Sequence, residues 1–243
     1  MNFAFLTDIG KLRRQNEDSV YVNDKKLSFA IVADGMGGHN AGEVASRMAV
    51  ETIKSSLNRG RVTDKTDMEE KIRKAFDLAN KKIYDYAEEN SKLMGMGTTT
   101  VTALIHNGRL IVGNVGDSRA YIIKDNEIRQ ISVDHSYVWQ LVMKGEITEK
   151  QAKRHPKRNY ITRAMGTEKD VPVDVFSEDW NGGVVLLCSD GLSSLVDNYE
   201  MRNIITESES LQQAAEKLVG LANERGGTDN ITVALMEEVI TNI

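Results

Sequence analysis

Five aspartates occupy one kind of position in this chain. Asp34 follows the apolar run SFAIVA and precedes Gly35. Asp117 follows LIVGNV and Gly116, and Asp190 follows VVLLCS and precedes Gly191. Asp229 lies in Gly226-Gly227-Thr228-Asp229-Asn230, just before the last apolar run, and Asp18 precedes an early one in Asn16-Glu17-Asp18. A carboxylate at the end of a buried strand is costly unless something neutralises it, and the neighbouring glycines allow close backbone approach. Gathered on one sheet edge, such residues form an all-oxygen cage for a hard divalent cation, Mg²⁺ or Mn²⁺. Each Asp taken singly also fits a turn or a helix N-cap, so both readings stand. Arg13, in the polar stretch from Gly10 to Asp18, adds a guanidinium beside the acids. It suits bidentate binding of a phosphate whose other oxygens face metal. A surface ion pair with Glu17 or Asp18 is the simpler role, and Arg14 fits the spacing equally well.

Other chemistries are excluded residue by residue. The single Cys188 permits neither an intrachain disulfide nor a Cys-rich zinc site; within VVLLCSD it reads as a buried strand residue. A thiolate phosphatase needs Arg six positions later, where Ser194 stands. The glycine spacing from Gly37 resembles a phosphate loop, but Glu43 occupies the position of its Lys. His106, His135 and His155 show no ligand spacing; His39 stands apart because it abuts the Asp34 loop. With 31 Lys+Arg against 36 Asp+Glu, the net charge of -5 argues against nucleic acid as a partner. The N-terminus lacks the charge order of a signal peptide, and no apolar run approaches the ~20 residues of a membrane span. The expectation is a cytoplasmic protein with no membrane partner.

The elements that must position these residues are legible as blocks. Strands are predicted at 3–7, 19–23 and 27–33, the last apolar enough to be buried on both faces. Helices follow at about 41–57 and 67–94, with a polar loop over 58–66. A meander spans 97–105, 109–115, 118–123 and 128–133, turned by Asn107-Gly108 and Asp125-Asn126. Residues 134–170 are polar, helix-prone and basic, an insertion on the rim. Strands resume at 171–176 and 183–188, then helices near 198–205 and 211–224 and a strand at 231–236. Blocks of strands, each followed by two helices, predict an α+β fold: sheets face to face with helix pairs outside.

Taken in order, Gly10-x-x-Arg13-x-x-Asn16-Glu17-Asp18, Asp34-Gly35-Met36-Gly37-Gly38-His39, Gly97-Thr98-Thr99, Gly113-Asn114-Val115-Gly116-Asp117-Ser118-Arg119, Ile161-Thr162-Arg163-Ala164-Met165-Gly166, Cys188-Ser189-Asp190-Gly191 and Asp229-Asn230-Ile231-Thr232 resemble the metal-dependent protein Ser/Thr phosphatases (PPM, or type 2C) in their compact bacterial form. The resemblance covers essentially the whole chain. It implies a four-layer α/β/β/α sandwich, one catalytic domain over 1–243 with a helical flap at about 136–168, and a centre of two Mn²⁺ or Mg²⁺ ions with a third in bacterial members. It implies that Asp34 bridges two metals, Asp190 and Asp229 complete one, the Gly35 carbonyl and Asp18 (through water) serve the second, and Asp117 with Asp190 holds the third. The implied reaction is attack of a metal-activated water on phosphoserine or phosphothreonine, with Arg13 on the phosphoryl oxygens. Where many animal members carry a general-acid His, this chain has Met36, which leaves His39 or a metal-bound water. The implied partners are phosphoproteins, including a Ser/Thr kinase, and the implied state is a monomer. A phosphohydrolase of the same fold acting on another phosphoester, or a non-catalytic phosphoprotein-binding module, are the alternatives; the module predicts broken ligands, and all five aspartates and Arg13 are present.

Overall fold

The strand before Asp34 is buried on both faces. Phe29, Ile31 and Ala33 belong to one core cluster, while Ala30 and Val32 belong to another. The computed structural model describes residues 1–25, 27–38, 41–59 and 65–238. Strands β1 (Asn2–Asp8), β2 (Asp18–Asn23) and β3 (Ser28–Met36) precede helices α1 (Ala41–Leu57) and α2 (Lys65–Glu89). The meander comprises β4 (Gly97–Thr98), β5 (Thr100–His106), β6 (Arg109–Val115), β7 (Arg119–Lys124) and β8 (Glu127–Gln130). The insertion carries α3 (Tyr137–Met143) and α4 (Glu149–Ala152). Then come β9 (Asp174–Asp179), β10 (Val184–Cys188), α5 (Asp190–Ser193), α6 (Asn198–Glu207), α7 (Leu211–Glu224) and β11 (Ile231–Glu237).

One sheet runs β1-β11-β10-β7-β8 and the other β2-β3-β5-β6-β9, with β4 beside β3; every pairing is antiparallel. Three apolar clusters make this a four-layer α/β/β/α sandwich. One lies between α1, α2 and the second sheet, one between the sheets, and one between the first sheet and α5–α7. Strand alternation feeds two clusters at once: in β11, Ile231, Val233 and Leu235 face the helices, while Ala234 and Met236 face the opposing sheet. Cys188 is fully buried in the helix-side cluster. Among the described residues, no helix is long and apolar enough to cross a membrane.

Element boundaries depart from expectation where local chemistry overrides pattern. β3 continues through Met36 because β4 pairs with it at Gly35↔Thr98 and Met36↔Gly97, so Asp34 lies within a ladder rather than after one. α2 ends at Glu89 because Asn90 turns extended and Gly95 takes φ +78°. The strand expected at 171–176 begins at Asp174. Pro172 has no N–H to give a ladder, Val171 and Val173 turn into the α1–α2 core, and pairing with β6 starts at Asn114↔Asp174. The one-turn helix α5 was not expected. The central part of the loop expected at 58–66 and the candidate His39 lie outside the described residues.

The insertion is clasped at its root. Buried Asn80 on α2 donates from Nδ2 to the Glu168 and Lys169 carbonyls at 3.1 and 3.0 Å and accepts at Oδ1 from the Gly166 N–H at 2.7 Å. Next to it, Met165 and Thr98 exchange two backbone hydrogen bonds of 3.0 and 2.9 Å. At its other end His135 takes the Gly116 N–H on Nδ1 at 3.0 Å and lies 3.0 Å from Asp174 through Nε2.

Candidate metal centre

The sandwich brings the five aspartates to one end. Asp18 opens β2 and stands opposite Asp34 on β3. Asp117 follows β6, Asp190 opens α5 after β10, and Asp229 precedes β11. Asp34 is held by its backbone: its carbonyl accepts from the Thr99 N–H and the Thr98 hydroxyl, both at 2.8 Å. Gly35 donates its N–H to the Glu17 carbonyl at 3.1 Å. Glycine is required there because an added Cβ would stand 2.1 Å from the Gly42 carbonyl at the start of α1. Gly191 meets the same limit, with a Cβ 2.0 Å from the Asn230 carbonyl.

The electrostatics are those of crowded carboxylates. Burial first, then the charges of Asp18, Asp190, Asp117 and Asp229, pushes Asp34 well above the usual carboxylate range. Asp18 is raised by burial to about 7, although Thr232 and Ser189 bonds hold it back. Burial and then Asp190 raise Asp117 to about 8; burial and then Asp229 raise Asp190 to about 6. One oxygen each of Asp18, Asp117 and Asp190 is buried with no hydrogen-bond partner among the described residues. Unsatisfied, recessed carboxylate oxygens of this kind are the donor set a hard divalent cation takes, so the residues fit such an ion. Among the described residues no three acidic, His or Cys side chains close on a common point.

Arg13 stands at the rim, its Nη2 2.6 Å from Asp229 Oδ2, with the side chains 47% and 29% exposed. Its partner is thus Asp229 rather than Glu17 or Asp18. The loop that carries it is pinned by Asn230, which accepts from the Glu17 N–H at 2.8 Å and donates to the Ile9 and Gln15 carbonyls at 2.9 Å each. Ser189 holds Asp18, donating to its Oδ2 at 2.8 Å while accepting from the Thr232 N–H at 3.0 Å. Sequence reasoning gave Asn230 and Ser189 no role. Their work is hydrogen bonding to chain segments about two hundred residues away, and no spacing signals it. Cys188 is no nucleophile here, its thiol pushed by burial up to about 12.

The chain is similar to known proteins over nearly its whole length. A family model described as Protein phosphatase 2C matches residues 13–224. The chain is 42% identical over 241 residues to a serine/threonine phosphatase, stp, of Listeria welshimeri, covering 98% of this chain and 96% of that protein. The crystal structure of the serine/threonine phosphatase Stp1 from Staphylococcus aureus superposes with TM-score 0.91 at 38% identity, covering 98% of this chain and 94% of that one. The catalytic domain of the serine/threonine protein phosphatase PstP, solved with two manganese ions, gives TM-score 0.86 at 33% identity and 96% coverage of each chain.

Proposed function

The chain belongs to the protein phosphatase 2C family of metal-dependent protein serine/threonine phosphatases, and from that premise we propose that Asp34, Asp190, Asp229, Asp18, the Gly35 carbonyl and Asp117 hold its divalent cations. The carrying observation is the set of recessed carboxylates with unpartnered oxygens at one sandwich end. When bound, Mn²⁺ or Mg²⁺ supplies compensation for these charges and brings the pKa of a water close to neutral.

The chain's own residues do the rest. Asp34, like Asp190, is raised by burial and by its neighbours' charges, and a cation between them favours the ionised carboxylates as oxygen ligands. Arg13 binds the phosphoryl group: its Nη1 and Nε have no partner among the described residues, and a guanidinium edge matches two phosphate oxygens. Asn230 fixes the loop from which Arg13 reaches. No side chain need form a phosphoenzyme.

In this reading residues 1–243 are one catalytic domain with a flap at about 136–168. The protein works as a monomer in the cytoplasm on phosphoserine and phosphothreonine of proteins, opposing a Ser/Thr kinase. The test is hydrolysis of a phosphothreonine peptide. Turnover is expected with Mn²⁺, to vanish with chelator, and to fall about a hundredfold or more in Asp34→Asn or Asp229→Asn. Turnover without metal, or unchanged rates in both variants, would overturn the assignment.

A further inference from the structure

The cations of the flap are not spent alike. Residues 136–168 carry seven Lys/Arg and three Asp/Glu in a chain of net charge -5. Arg163 is committed to Asp174 at 2.8 Å, and the Lys157 ammonium lies over the Tyr137 and Tyr160 rings at 5.3 and 5.6 Å. Lys153 and Arg158 have no ion-pair partner among the described residues, and both line a cleft of about 570 Å³ between the flap and the α5–α6 segment. Asp117 and Asp190 line it too, so the cleft opens directly off the aspartate cluster.

Its other walls are consistent with a polypeptide occupant. Trp139 lines it. Val138, Leu195 and Val196 add apolar surface. Of the six lining acids three are engaged, Asp134 with Arg119 at 2.6 Å, Glu200 with Arg225, and Asp197 as the cap of α6; Asp117 and Asp190 belong to the aspartate cluster, and Glu149 is the one left over. A cleft of this size takes a few residues of extended chain.

We propose that this cleft receives the substrate segment flanking the phosphorylated residue and that it selects acidic segments. Carboxylates of the segment pair with Lys153 and Arg158. The inference rests on the phosphatase reading above, because the aspartate cluster must hold the phosphoryl group for the flanking chain to enter the cleft.

The test compares two phosphothreonine peptides, identical except for Glu or Lys at the flanking positions, with Mn²⁺ present. The readout is the ratio of their kcat/KM values in one enzyme preparation, so loss of folded protein cancels. Two half-exposed ion pairs predict a ratio of about three- to tenfold in favour of the acidic peptide, shrinking in high salt. Lys153→Glu with Arg158→Glu should bring the ratio to about one or invert it. Equal turnover of both peptides by the unaltered protein, or an unchanged ratio in the double variant, would overturn the inference and leave the phosphatase reading intact. Turnover of neither peptide would overturn the phosphatase reading itself.

Discussion

Arg13 and Asp229 hold each other at 2.6 Å, although the proposed mechanism assigns them to different partners, phosphate and metal. Removing the guanidinium therefore has opposite effects on the two. Arg13→Ala is expected to lower kcat/KM for a phosphopeptide by about ten- to hundredfold, the worth of charge-assisted hydrogen bonds. Manganese affinity measured by calorimetry should be undiminished, because Asp229 loses a competitor. Unchanged kcat/KM would contradict the role. The carboxylates make a second prediction. Asp18, Asp117 and Asp190 are raised to about 7, 8 and 6 in the fold, above the ordinary value near ~4 of an unfolded chain. The folded protein then binds protons that the unfolded chain has released, so this stability is full at low pH and is lost as pH rises through the folded values. Metal-free protein should show a lower urea midpoint at pH 8.5 than at pH 6.5, and Mn²⁺ should reverse the difference by favouring the ionised cage. A higher midpoint at pH 8.5 without metal would contradict the shifts. At this scale the sequence was legible where residue type and strand-end position carried the signal, as for the five aspartates. It was silent on Asn230 and Ser189, whose partners, the Ile9 carbonyl and the Asp18 carboxylate, lie far along the chain.

Elements matter through the way they clamp the site. Thr98 of β4 and Thr99 just after it hold Asp34 from one side with a hydroxyl and an N–H, and the same Thr98 exchanges backbone bonds with Met165 at the flap root. Asn80 clasps the adjoining 166–169 segment with three hydrogen bonds. Asn80→Ala is expected to cost about 2–3 kcal/mol in urea unfolding, at about 1 kcal/mol per buried bond. It should also speed amide exchange at 164–169 more than in the core strands. Loss of stability with exchange there unaltered would contradict the clasp. Strands buried on both faces, such as β3 and β11, were readable because each residue must satisfy one of two cores. β9 slipped by three residues because Val171 and Val173 serve a helix-facing core before the ladder begins. α5 was unreadable because four residues carry no periodicity.

Across the whole molecule, antiparallel sheets deliver chemistry from five distant chain segments to one end, and the net charge of -5 is divided unevenly between that acidic end and a basic flap. Two divalent cations would bring the chain to about -1 and change most what an approaching phosphoprotein meets beside the flap. The central claim is that this end of the sandwich is where the cations sit. Anomalous diffraction at the manganese edge, from crystals grown with Mn²⁺, tests it without reference to activity. The account predicts peaks bounded by Asp34, Asp190 and Asp229, with the Gly35 carbonyl and Asp18 alongside, and their loss in Asp34→Asn. Manganese found only elsewhere on the protein, or unaltered in that variant, would contradict it.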